Sequence, residues 1–107
     1  MVSDVYTISR LFPDSEKFGL TSQLQRAAVS VPSNISEGWG RDSTKNYLQF
    51  LRISRGSLFE IETILVIANN LNYLNETLYQ EISLVVEEVL KILSGLIKSL
   101  ELKILTE

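Results

Sequence analysis

Apolar residues recur along this chain at steps of three and four, the spacing of a helical face turned towards a core. Four helical segments follow from that pattern. The first covers about Val2 to Phe12, with Val5, Ile8, Leu11 and Phe12 on one side. Pro13 should end it, because the residue before a proline is pushed out of the α region. The second runs from about Leu20 to Glu37 on Leu20, Leu24, Ala27 or Ala28, Val31 and Ile35. Pro32 lies inside it, where its ring removes one backbone hydrogen bond and crowds the carbonyl of Ala28. A kink or local loosening is expected there, and Gly38 and Gly40 should stop the helix.

The third segment begins near Asp42 and Ser43, either of which can cap the free N–H groups of a first turn. Tyr47, Leu51, Ser54, Leu58, Ile61, Leu65 and Ala68 then alternate steps of four and three, a heptad seam that keeps one stripe on a partner helix. Gly56 interrupts this segment at a cost of about 1 kcal/mol relative to alanine, which suggests a close helix contact at that point. Asn69-Asn70-Leu71-Asn72 marks the end, since asparagine tolerates a left-handed cap. Asn75 caps the fourth segment, with Glu76 well placed against the helix dipole. Here Leu78, Ile82, Val85, Val89, Ile92 and Leu96 form one apolar seam, and Val86, Leu93 and Leu100 form a second beside it.

Short connections make sequential helices antiparallel, so the expected fold is all-α: an up-down four-helix bundle with a shortened first helix, one domain over residues 1–107. The alternative is an extended helical hairpin that completes its core only in an oligomer. Two features point to self-association. The fourth segment is apolar over more than one stripe. The third and fourth, at about 29 residues each, would be ~43 Å long against ~16 Å for the first, so the far ends of the long pair need a cover.

Composition narrows the chemistry. Apolar residues make up 45% and charged residues 21%, the balance of a soluble globular domain, and no apolar run approaches the ~20 residues of a membrane span. Met1-Val2-Ser3-Asp4 shows no basic region ahead of an apolar stretch, so no signal peptide is read and a cytoplasmic location is expected. With neither cysteine nor histidine, disulfides, zinc sites, the usual catalytic triads and imidazole bases are excluded, and the expectation is a non-enzyme without cofactor or metal. Net charge is −3, but residues 17–55 carry six cations against two acids and residues 56–107 three against eight. Lys17, Arg41, Lys45 and Arg52 are therefore either a phosphate-contacting surface for RNA or DNA or a solvated basic face. Trp39, between two glycines, either stacks on a base or plugs the end of the bundle.

A polar stripe accompanies the apolar face of the second segment: Arg26, Ser30, Ser33 and Glu37 at steps of four, three and four, with Asn34 alongside. Together with Arg55 and Glu60, Arg26, Asn34 and Glu37 read as a polar network that fixes helix register or joins subunits, rather than as a recognition or catalytic cluster. Phe12-Pro13, Glu16, Gly19-Leu20, Gln23, Arg26-Ala27-Ala28, Ser30, Pro32-Ser33-Asn34-Ile35 and Glu37-Gly38, followed by Arg55-Gly56-Ser57-Leu58 and Glu60, resemble the 23S ribosomal RNA intervening-sequence four-helix bundle family. The motifs that carry the resemblance cover roughly residues 6–65. It implies a four-helix bundle that assembles as a homopentamer, with no established activity. The accessory protein of diversity-generating retroelements, a distant relative, binds nucleic acid and a reverse transcriptase, and it implies those partner classes here. Members usually carry further helical turns ahead of the position of Val5.

Overall fold

A computed structural model describes residues 1–106 as four helices: α1 (Val2–Ser9), α2 (Leu20–Trp39), α3 (Thr44–Asn70) and α4 (Glu76–Thr106), with one 3-10 turn at Asp14–Glu16. They form an up-down bundle with a shortened first helix. Its core takes Val5 and Ile8 from α1, Leu24, Ala28 and Val31 from α2, Leu51, Leu58 and Leu65 from α3, and Ile82, Val86, Leu93 and Ile97 from α4.

Side chains cap the starts of α3 and α4. The Ser43 hydroxyl accepts from the N–H of Asn46 (3.1 Å) at the start of α3, so Ser43 rather than Asp42 is the cap. Asn75 accepts from the N–H of Leu78 (2.8 Å) ahead of α4. At the end of α3 the N–H of Tyr73 bonds the carbonyl of Ala68 (2.9 Å) and that of Asn72 the carbonyl of Asn69 (3.1 Å). Asn72 takes φ 63°, the left-handed cap expected of this asparagine-rich stretch.

Three expectations need correction. α1 stops at Ser9, ahead of Pro13. The N–H groups of Leu11 and Phe12 bond the carbonyls of Ile8 and Ser9, a tighter turn that buries Phe12 and leaves Leu11 exposed. α2, with Pro32 inside it, runs past Gly38 to Trp39, so of the two glycines only Gly40 stands at its end, as the C-cap. The close helix contact lies at Gly38 and not at Gly56. A Cβ on Gly38 would sit 2.7 Å from Cβ of Phe50 and 2.9 Å from Cδ1 of Tyr47, whereas one on Gly56 would meet nothing within 4 Å. Glycine relieves crowding between α2 and α3 at the first position and none within the chain at the second.

The mismatch in helix length shapes the molecule. α1 has 8 residues and α4 has 31, or about 12 Å against about 46 Å. The bundle measures 50 × 24 × 18 Å with a radius of gyration of 15.4 Å, where roughly 13 Å is usual at this length. Its accessible surface, 6661 Å², also exceeds the roughly 6,000 Å² of a compact monomer of this mass. Among the described residues fourteen large apolar side chains stay exposed, most of them on α3 and α4.

Candidate functional site

The polar stripe of α2 divides into two parts. Its inner part pins α2 to α3. The hydroxyl of Ser57 donates to that of Ser30 (2.9 Å), Asn34 donates to the carbonyl and hydroxyl of Ser30 (2.9 and 3.0 Å), and buried Ser54 donates to the carbonyl of Val31 (2.8 Å). No buried side-chain polar atom among the described residues lacks a partner. These bonds fix how far α2 slides along α3.

The outer part departs from the expected buried network. Arg26 and Glu60 are exposed and Arg55 is half-buried, and none of the three joins an ion pair among the described residues. Glu37 pairs instead with Arg41 one turn on (2.6 Å). Arg26 stands between two shallow grooves of about 490 and 270 Å³. The first runs towards α1 past Tyr6, Gln25 and Asn34, and the second runs towards α3, where Glu60 forms the far wall. Of the five residues read as a network, only Asn34 is bonded to the polar pin, because the others project past the α2–α3 contact.

The basic residues do not gather on one chain. Lys17 lies at the 3-10 turn, with Nζ 5.5 Å from the Phe18 ring, at the opposite end of α2 from Arg41 and Lys45. Arg41 stacks over Phe50 (4.9 Å) while paired to Glu37, and Arg52 pairs with Glu101 of α4 (2.8 Å). Lys45 is exposed and joins no ion pair among the described residues. Trp39 does not plug the bundle: it is 77% exposed, edge-on to Tyr47 at 5.8 Å.

Charge is nevertheless polarised along the long axis. The half nearer the α2–α3 loop carries Arg41, Lys45, Arg52, Arg55, Lys98 and Lys103 against Glu37, Asp42 and Glu101. The other half carries nine acids (Asp4, Asp14, Glu16, Glu60, Glu62, Glu76, Glu81, Glu87 and Glu88) against Arg10, Lys17, Arg26 and Lys91. The outer side of α3 shows exposed Ile53, Phe59, Val66 and Ile67 around open Gly56.

One contact carries no periodic signal in the sequence. Glu16 accepts from the Tyr73 hydroxyl (3.0 Å) and from the N–H of Leu20 (3.3 Å), tying the start of α2 to the α3–α4 turn while Phe12 packs on the Tyr73 ring at 5.5 Å. The hydrogen bond to Glu16, helped by desolvation and the carboxylate's charge, raises the Tyr73 pKa above its ordinary value. Only the identity of Glu16 within the family pattern hinted at it.

The described residues contain no group of three or more metal-ligating side chains, and no helix among them is long and apolar enough to cross a membrane. No curated protein matches the chain. The family model described as 23S rRNA-intervening sequence protein matches residues 1–95. That match spans all of α1 to α3 and most of α4, over a bundle whose layout is the one the motifs imply, and the chain belongs to the 23S rRNA-intervening sequence protein family.

Proposed function

We propose that this protein is a non-catalytic scaffold that assembles with copies of itself, as the homopentamer that the family resemblance implies. Gly56 carries the reading. A mid-helix glycine costs about 1 kcal/mol relative to alanine, and nothing in its own chain approaches it. A neighbouring helix from another copy would use that gap, against the exposed Ile53, Phe59 and Ile67. Arg26 and Glu60, on the same side of the α2–α3 pair, then become polar partners across the interface. Sedimentation of Phe59→Glu tests this: a carboxylate held in a dry interface costs several kcal/mol, so the variant should sediment as a smaller species while keeping its helical content. If the variant keeps the parent's size, α3 is not the assembly surface.

A second reading, binding of RNA or DNA through phosphates, draws on the charge polarity of the bundle. Subunits standing parallel in a ring would bring their basic halves to one rim, and avidity would multiply a weak site. The scattered positions of Lys17, Arg41, Lys45 and Arg52, two of them in ion pairs, favour the scaffold without nucleic acid.

A further inference from the structure

α3 and α4 each carry one glycine in mid-helix, Gly56 and Gly95, and a Cβ on either would meet nothing within 4 Å. Only proline is a poorer helix former, and neither helix gains a contact inside the chain in return. Both glycines point away from the core. Gly56 stands between buried Ser54 and Leu58, and Gly95 between buried Leu93 and Ile97, each on the opposite side of its helix from that pair. Exposed apolar side chains accompany both: Phe59 and Ile67 on α3, Leu84 and Ile92 on α4. The glycines also stand at nearly one height. Arg52 of α3 pairs with Glu101 of α4 at 2.8 Å, which sets the relative height of these antiparallel helices. Gly56 lies four residues along α3 from that pair, and Gly95 six residues back along α4. The difference is two residues, about 3 Å. A closed ring with its axis along the bundle relates copies by rotation without rise. Residues at one height in a chain therefore keep that height in its neighbours.

Resting on the reading of α3 as the assembly surface, we propose that α3 of one copy packs against α4 of the next, Gly56 on Gly95. Opposed at their glycines the two helices run antiparallel, so each step forward on α3 meets one step back on α4. Three residues on, Phe59 meets Ile92 of the next copy, and eleven residues on, Ile67 meets its Leu84. Four residues on, Glu60 meets Lys91 of the next copy. Neither of these charges joins an ion pair in its own chain among the described residues, so each supplies what the other lacks. Thr63 falls opposite Glu88, and Arg52 opposite Ser99, polar on polar. Pairing of α3 with itself is disfavoured. Glu60 would then face Arg52, which Glu101 already holds, and Gly95 would stay unmatched. An interface of two unlike faces adds copies until the ring closes, whereas a self-complementary one stops at a dimer.

The chain has no cysteine, so thiols can be placed at will. Glu60→Cys and Lys91→Cys combined in one chain, treated with a short bis-maleimide, should give a ladder of covalent species on a denaturing gel. The ladder should reach the size of the assembly. Either substitution alone should leave single chains. Charge exchange is the second arm, and it needs no cross-link. Glu60→Lys or Lys91→Glu should raise the concentration of half-dissociation about tenfold, and the two together should restore the parent's value. Dimers from Glu60→Cys alone would assign α3 to itself and overturn the pairing. So would a double-cysteine variant that keeps the parent's mass but does not link, or charge reversals that fail to rescue each other. The failures separate. A parent that is monomeric at tens of micromolar removes the α3 surface and this pairing together. Assembly that is lost in Phe59→Glu, with no link between the paired thiols, removes the pairing alone.

Discussion

At Gly38 the backbones of α2 and α3 approach so closely that no side chain fits between them. Alanine there would drive a methyl into Phe50 and Tyr47. Overpacking costs about 1–3 kcal/mol, and the better helix propensity of alanine returns at most about 1 kcal/mol of it. Gly38→Ala should therefore lower the melting temperature despite adding a stronger helix former. Gly56→Ala should do the opposite. Its methyl meets open space, so at concentrations where the chain is monomeric, chemical denaturation should show a gain of about 1 kcal/mol. On dilution the same variant should dissociate sooner than the parent, because the added methyl stands in the gap that a neighbouring helix uses. A stabilised chain that holds its assembly equally well would remove Gly56 from the interface. The two glycines also mark how far single residues are legible in sequence. A mid-helix glycine says that a Cβ is unwanted, and the apolar spacing of α3 could not say whether the crowding neighbour belongs to the same chain. Ser54 was more transparent in kind than in partner. A serine on a heptad seam must satisfy its hydroxyl, and it does so on the carbonyl of Val31 across the helix pair.

Helices and their ends were the more readable level. All four segments, the caps at Ser43 and Asn75 and the asparagine-rich stop after α3 follow from short-range chemistry that acts within a turn or two. What escaped depends on packing between distant segments. α1 ends early because the following residues tighten to bury Phe12 against Tyr73, and α2 tolerates Pro32 and Gly38 because α3 holds it on one side. Replacing Asn75 with alanine removes the acceptor for the Leu78 N–H and should cost about 1 kcal/mol in thermal or chemical denaturation. The Glu16–Tyr73 tie gives a pH signature with a definite sign. Folding favours the neutral phenol of Tyr73, so its contribution is intact below the ordinary tyrosine pKa of about 10 and is lost as pH rises through the higher folded value. Spectrophotometric titration should show a late-ionising tyrosine that disappears in Tyr73→Phe, and the parent should lose more stability than that variant between neutral and strongly alkaline pH. If Tyr73→Phe leaves the titration curve unchanged, the bond to Glu16 does not control the phenol.

The whole molecule is long, unevenly filled and charged oppositely at its two ends. The polar stripe of α2 was legible as a pattern, yet its outer residues face away from their own chain, which no spacing rule can foresee. Phosphate binding, if it exists, must use cations that one chain keeps apart. Replacing Arg41, Lys45 and Arg52 with glutamine would then flatten the salt dependence of binding to labelled RNA or DNA, measured by anisotropy from ~50 mM salt upwards. No binding by the parent at the lowest salt would leave the scaffold without a nucleic-acid role. Self-assembly is the central claim, and the mass of the intact chain in solution tests it most directly. Light scattering at tens of micromolar should return about five times the 12.1 kDa of one chain. A mass of 12.1 kDa at that concentration would contradict it.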